Sequence, residues 1–453
     1  MRVIIIGGGD VGFSIAQHLA EEKIDVLMIE QSEGGCKRAR GNLDIQVNCG
    51  NGASPRVLEE AGIATAAMLI AVTNSDEVNI VACAVAARLN KSIRRIARIR
   101  DIDYLAHIEK AGSEHLGVDL VFNLDIEAAR GIMDLLDAPT ADAVRFFADD
   151  KLRLTGYHVQ PEAPIVGRSL ISLAGDYNLR ELLIVAIDRG GHVIIPRGGD
   201  VVCEDDFLWF IASPGKLEMV SELVGKTYHP LKRVMISGGT PVGFHLAQLL
   251  EERKIPCKII VEDRERAEER AEKLGEAIVI NGRGIDLSLL REENIGDVSA
   301  FVATTSHDED NILASMLAHR EGVERVIAMI ERYDFAKVVS SIGVNAIVSK
   351  NVAAVATILK LIRKGNILSS FLLGRDAEVI EYQAMETSQI TQAPLKDLNF
   401  PRGAILGAIV RDGEVIIPSG DDQVEVGDRI LIFTTKKALK KVERLTTVGL
   451  GFF

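Results

Sequence analysis

The sequence predicts an α/β protein with two doubly wound, Rossmann-like parallel-sheet domains, each followed by a small β-rich α+β domain. Three observations carry this. A block at the start of the chain recurs halfway along; a second, unlike block recurs at a different spacing; and strand-like runs alternate with helical periodicity only in the first kind of block. Arg2-Val-Ile-Ile-Ile-Gly-Gly-Gly-Asp-Val-Gly-Phe13 aligns with Arg233-Val-Met-Ile-Ser-Gly-Gly-Thr-Pro-Val-Gly-Phe244, an offset of 231 (Arg2 to Arg233). Gly50-Asn51-Gly52 then matches Gly282-Arg283-Gly284, and Asp76–Ile80 matches Asp308–Ile312, at 232 (Asp76 to Asp308), so one residue is inserted between these blocks. That insertion sets Glu30 opposite Glu262. Val193–Asp200 matches Val415–Asp422 at 222 (Val193 to Val415), and Asp206 meets Asp428. The order is A, B, A′, B′, with expected domains at 1–135, 140–226, 231–360 and 368–450.

Within A, Val3–Ile6 is a short β-branched run. The stretch Val11–Glu22 carries Val11, Ile15, Ala16 and Leu19 on one helical face. Val26–Ile29, Met68–Val72 and Arg95–Ile99 read as further buried strands. Strands alternating with helices imply a parallel sheet with right-handed crossovers. B instead has short alternating runs, Leu183–Ile187 and Val193–Ile195, bounded by Gly-Gly and Pro turns, which predicts a small β module with one closing helix.

Composition narrows the function. The 453 residues include 52 Lys and Arg against 65 Asp and Glu, a net charge of −13, which argues against a nucleic-acid partner. A hydrophobic share of 47% suffices for sizeable cores. No apolar run approaches the roughly 20 residues that span a bilayer, and Met1–Ile6 turns to glycine too soon for a secretory signal. Cys36, Cys49, Cys83, Cys203 and Cys257 are odd in number and scattered, so neither a disulfide framework nor a metal site is expected. A reducing, cytoplasmic setting fits them, and Cys83, in a small apolar stretch, reads as core.

Gly7-Gly8-Gly9-Asp10-Val11-Gly12 is G-x-G-x-x-G directly after a strand and opening a helix. Gly7 permits the turn, Gly9 lets the backbone approach a pyrophosphate, and Gly12 allows helix–strand packing. The free N–H groups of the helix start face the phosphates. Glu30, at the end of the second strand, is placed to accept from ribose hydroxyls and to repel the 2′-phosphate of NADP. Thr73 and Asn74 follow the strand Met68–Val72, on the ligand-binding rim of such a sheet. Asp76 and Glu77 start the next helix. Arg98 and Arg100 alternate along a strand, so one could meet phosphates and the other a subunit interface. In the second copy, Gly238-Gly239-Thr240-Pro241-Val242-Gly243 replaces the third loop residue with Thr240 and adds Pro241, which lacks an N–H; with Glu262 it makes the weaker site.

Together the loop at Gly7–Gly12, Glu30, the segment Ala71–Asn79 and Arg98-Ile-Arg100, in tandem with a β-rich partner, resemble the TrkA family. These are cytosolic regulatory subunits of Trk potassium-uptake systems, built from tandem regulator-of-potassium-conductance (RCK) units. The resemblance covers essentially the whole chain, although Asn51 stands where the family often has Asp. It implies a regulatory, non-enzymatic protein, cytoplasmic and peripheral to the inner face of the membrane, that binds NAD(H) or an adenine nucleotide (ATP or ADP). It further implies a homo-oligomeric ring, expected to be a tetramer, docked on a membrane potassium-translocating subunit. Carried onto this sequence, the nucleotide-site candidates are Gly7, Gly8, Gly9, Asp10, Val11, Glu30, Thr73, Asn74 and Arg98. The rival reading, an NAD-dependent oxidoreductase, needs a catalytic acid or base over the nicotinamide. His18, His107 and His192 show no carboxylate partner in sequence and read as surface residues.

Overall fold

The computed structural model describes residues 2–21, 23–111, 116–138, 140–148, 151–176, 182–212, 216–227, 229–332, 344–352, 354–355, 358, 367–374 and 376–446. The first sheet holds β1 (Arg2–Ile6), β2 (Asp25–Glu30), β3 (Gln46–Cys49), β4 (Met68–Ala71), β5 (Arg94–Arg98) and β6 (Leu120–Phe122), in the order β3-β2-β1-β4-β5-β6. Every pairing is parallel. The helices α1 (Asp10–Glu21), α2 (Glu33–Asn42), α3 (Pro55–Glu60), α4 (Asp76–Leu89), α5 (Ile102–Ala111) and α6 (Leu124–Asp137) connect and follow these strands. Residues 3–6 of β1 are all buried, as expected of a strand covered by helices on both faces. Ile4, Ile6, Leu27, Ile29, Leu69, Ala97 and Cys83 join one core. The chain changes direction across the sheet between β1 and β4, which opens a crevice beyond their carboxyl ends.

An antiparallel sheet follows: β7 (Ala143–Phe147), β8 (Leu152–His158), β9 (Leu182–Arg189), β10 (His192–Ile194) and β11 (Phe207–Ala212), ordered β10-β9-β11-β8-β7, with the helix Leu217–Leu223 after it. The second parallel sheet repeats the first: β12 (Val234–Ser237), β13 (Cys257–Val261), β14 (Ile278–Asn281), β15 (Ala300–Ala303), β16 (Arg325–Met329) and β17 (Ala346–Val348), ordered β14-β13-β12-β15-β16-β17. The last sheet, β18 (Ile367–Leu373), β19 (Ala377–Gln383), β20 (Ala404–Arg411), β21 (Glu414–Ile416) and β22 (Arg429–Thr435), repeats the second in the order β18-β19-β22-β20-β21. The expected fold class is the observed one.

The two antiparallel sheets share a single hydrophobic core, with Leu154, Val185, Trp209 and Ile211 from one and Val379, Ala408, Leu431 and Phe433 from the other. Trp209 meets Phe371 edge to face at 5.8 Å. Duplicate ion pairs brace both modules. Arg189 is bidentate on the buried Asp206, and Arg411 on the buried Asp428, each arginine also donating to a backbone carbonyl (Val201 O and Gln423 O) at 2.8 Å. The matched aspartates thus hold turns in place.

The chain forms two compact units, Met1–Ala128 with Ser349–Ile358, and Ala129–Val348 with Leu359–Phe453, the first division falling inside α6. Ser349–Ile358, within the stretch expected as the third domain, groups with Met1–Ala128. There Lys350 Nζ lies 3.5 Å from the Asp125 carboxylate.

Candidate nucleotide-binding site

At the end of β1 the chain turns through Gly7, with φ +102°, where a Cβ would lie 3.1 Å from the Thr73 backbone nitrogen. Only glycine meets both conditions without strain. Gly9 O accepts the first bond of α1, from Phe13 N at 2.8 Å, so Gly9 is the cap residue. A Cβ on Gly9 would meet nothing within 4 Å, whereas one on Gly12 would lie 2.0 Å from Gly7 O. One glycine faces open space; the other is locked under its own loop.

The helix N-terminus opens on a cleft of about 600 Å³, lined by Gly7, Gly8, Gly9, Glu30, Thr73 and Asn74 among others. Glu30 ends β2 and accepts from Gly8 N at 2.6 Å and from Ser32 N at 2.8 Å. Burial pushes its pKa up, but the N–H groups of Ser32 and Gly8 and the Ser32 hydroxyl outweigh burial and hold it below the usual glutamate range. Glu30 is therefore a carboxylate at neutral pH.

Opposite it, Thr73 and Asn74 stand on the turn after β4. Buried Asn79, in the first turn of α4, fixes this turn: its Oδ1 accepts from Thr73 N at 2.9 Å, and its Nδ2 donates to Arg98 O at 2.8 Å. Asp76 Oδ2 accepts from the backbone N–H of Arg100 and Asp101, both at 2.8 Å. The second copy repeats the device, with Asn311 joining Thr305 N to Met329 O.

Three expected site residues do not line the cleft. Arg98 is 8% exposed at the end of β5, one strand beyond the β1–β4 crevice, and its backbone carbonyl accepts from the rim residue Asn79. Arg100 reaches the rim instead, with Nη2 donating to Asn74 Oδ1 at 2.7 Å. Asp10 and Val11 belong to the first turn of α1. Asp10 points outward and accepts from Arg38 Nη1 at 2.9 Å, while Arg38 itself lines the cleft and stacks over Phe13 at 4.6 Å.

Sequence reasoning gave no site role to Ser32, Gly35 or Arg38, which line the cleft, or to Asn79, which braces it. The repeat of Asn79 as Asn311 was the available signal. The expectation of unbonded cysteines is also corrected: Cys36 and Cys49 form a disulfide. They stand 13 residues apart in no recognisable motif, and only the packing of α2 on β3 brings them together. His192 likewise has a partner that its sequence neighbours could not show, Asp376 at 3.5 Å, on an exposed hairpin.

The second copy forms a cleft of about 520 Å³ with different chemistry. Thr240 caps its helix, accepting from Gly243 N at 3.3 Å and donating to Thr304 O at 2.7 Å. Arg283, in the place of Asn51, pairs with Glu262 at 3.2 Å. A donor that would meet phosphate is thus occupied by the chain itself, and the strand-end acid already faces a cation.

The TrkA-N domain matches residues 3–123 and 234–350, and the TrkA-C domain residues 154–225 and 379–447. The chain belongs to the TrkA family. Among similar members, the Trk system potassium uptake protein TrkA homolog 1 of Methanosarcina mazei is 37% identical, over 98% of this chain and 99% of that protein. The Trk system potassium uptake protein TrkA of Azorhizobium caulinodans is 34% identical over the full length of both. In fold, this TrkA-family chain is similar to the GsuK channel bound to NAD (TM-score 0.61, 17% identity, 98% of this chain and 78% of that one). It is equally similar to the GsuK RCK domain (TM-score 0.61, 16% identity, 98% and 94%). Its relatives are named for potassium uptake. Among the described residues no helix is long and apolar enough to cross a membrane.

Proposed function

We propose that this chain is the nucleotide-sensing subunit of a Trk-type potassium-uptake system. NAD(H) or an adenine nucleotide, ATP or ADP, binds in the first cleft. The ligand biases the arrangement of a homo-oligomeric ring, peripheral to the cytoplasmic face of the membrane, and so gates a potassium-translocating subunit. The observation that carries this reading is the pairing of an open helix cap at Gly9 with the ionised Glu30 in one cleft. The cap suits a pyrophosphate and the carboxylate suits ribose hydroxyls. The names of the family's members supply the transport context, and the NAD-bound GsuK channel supplies a ligand precedent in the same fold.

A ligand shifts such an equilibrium only through different contacts in the two states. Arg38 is suited to this, because it lines the cleft while bonded to Asp10. A ligand phosphate that draws it from Asp10 changes the charge balance at the start of α1. Calorimetric titration with NADH, ATP and ADP tests the site: Gly9→Val and Glu30→Ala should each lose affinity, and unchanged affinity in both removes the site. Deletion of the protein in cells tests the transport role, which fails if potassium uptake is unaffected.

A further inference from the structure

We propose that Cys36 and Cys49 are a reversible dithiol–disulfide modification site whose bond fixes two walls of the first cleft against each other. Cys49 closes β3 and pairs in register with Glu30, and the Cys36 sulfur, in the first turn of α2, lies 3.4 Å from Glu30 O. Residues on either side of the bond line the cleft: Ser32, Gly35 and Arg38 around Cys36, and Gly50, Asn51 and Gly52 after Cys49. The bond, with Cα atoms 6.1 Å apart, joins these two segments beside the backbone of Glu30.

The surroundings suit exchange chemistry. Cys49 is exposed, and Arg40 Nη2 stands 3.4 Å from its sulfur, which favours the thiolate. Cys36 is 1% exposed in the first turn of α2, with its sulfur beside Glu30 O, so the exposed Cys49 is the sulfur that an outside reagent reaches first. Among the other described cysteines, the buried thiols of Cys83 and Cys257 are pushed up to about 12 by desolvation. At the equivalent places of the second copy stand Glu268 and Asn281, so the duplication carries this pair only where the cleft keeps an open cap.

The co-reactant is a low-molecular-weight disulfide. The Cys49 thiolate attacks one of its sulfurs, forming a mixed disulfide and releasing one thiolate. The Cys36 thiolate then attacks the Cys49 sulfur, closing the intramolecular bond and expelling the second thiolate. Two cysteines are oxidised, the small disulfide is reduced by two electrons, and the two cysteine protons end on the released thiols.

A further consequence rests on the nucleotide reading above: fixing both walls before binding lowers the ordering cost, so the oxidised protein should bind NADH about three- to tenfold more tightly than the reduced one. The test uses the full chain equilibrated in glutathione buffers of graded ratio. Mass spectrometry of the Cys36–Cys49-linked peptide reports the bond, and hydrogen exchange at residues 32–38 and 50–52 reports the cleft without any ligand. The expected result is a reversible linked peptide together with slower exchange in both segments, and neither effect in Cys49→Ser. Absence of the linked peptide at every ratio overturns the proposal, and so does a linked peptide with unchanged exchange. If the bond forms and exchange slows, yet NADH binds neither form, the modification site stands and the nucleotide reading falls.

Discussion

Gly9→Val places a branched side chain in the mouth of the first cleft, where the native backbone leaves space. Because a Cβ there meets no atom within 4 Å, the folded state has room for the new group. The stability cost is that of a poor helix cap, about 1 kcal/mol, or a Tm drop of roughly 2–4 °C. The binding cost is larger. The new methyl groups stand between a ligand phosphate and the N–H groups at the start of α1, and each hydrogen bond to a charged group contributes about 1.5–3 kcal/mol. Losing two such bonds weakens binding by about 3–6 kcal/mol, which is roughly 10²- to 10⁴-fold. Thermal unfolding and calorimetric titration with NADH and ADP, run on the same samples, separate the two effects. Gly12→Ala is the contrasting control, since its Cβ would lie 2.0 Å from Gly7 O and must displace the loop. A Gly9→Val protein that binds within threefold of wild type, or that loses as much stability as Gly12→Ala, refutes the reasoning.

Asn79→Ala should cost about 2–4 kcal/mol in urea unfolding, because it leaves Thr73 N–H and Arg98 C=O without their partner; a loss under about 1 kcal/mol contradicts the bracing role. Glu30 has a depressed pKa, so its charged-state contribution is present above the ordinary glutamate range and lost only as pH falls through its own lower value. NADH affinity should accordingly hold from neutrality to about pH 5, and Glu30→Gln should abolish any fall below that; a decline already complete at pH 6 excludes Glu30 as its source. The same carboxylate should make NADPH bind at least about tenfold more weakly than NADH, and equal affinities would show that Glu30 does not face the ribose. Thr240→Gly removes the side chain that occupies Gly243 N–H, so it should raise nucleotide stoichiometry if the cap is what closes the second cleft; unchanged stoichiometry moves the obstacle to Pro241 or Arg283.

The parallel sheets were legible because their signals are local and repeated. A β-branched run, three glycines and an amphipathic helix state one strand–turn–helix unit, and the second copy states it again. The cleft was legible where backbone demands a residue type, as at Gly7 and Gly12. Side-chain direction was not. Arg98 and Arg100 alternate on paper, but only the strand order shows that Arg98 is buried one strand from the crevice. Asp10 looked like part of the loop until Arg38, 28 residues away, proved to be its partner. The antiparallel modules announced one apolar face each through their alternation. Their sequence held nothing to say that Trp209 would pack on Phe371. Cys36 and Cys49 were missed for the same reason, since their meeting depends on how α2 lies on β3.

Because Ser349–Ile358 completes the unit begun by Met1–Ala128, that unit is finished late during synthesis. The first sheet leaves the ribosome early, yet about 230 further residues, counted from Ala128 to Ile358, must be made before its last segment arrives. At about 5–20 residues per second this interval is roughly 10–50 s, during which Asp125 waits for Lys350. Ribosome-bound chains halted near residue 200 should therefore surrender residues 1–128 to protease more readily than chains halted near residue 400, and equal resistance would show that the first sheet needs no such completion.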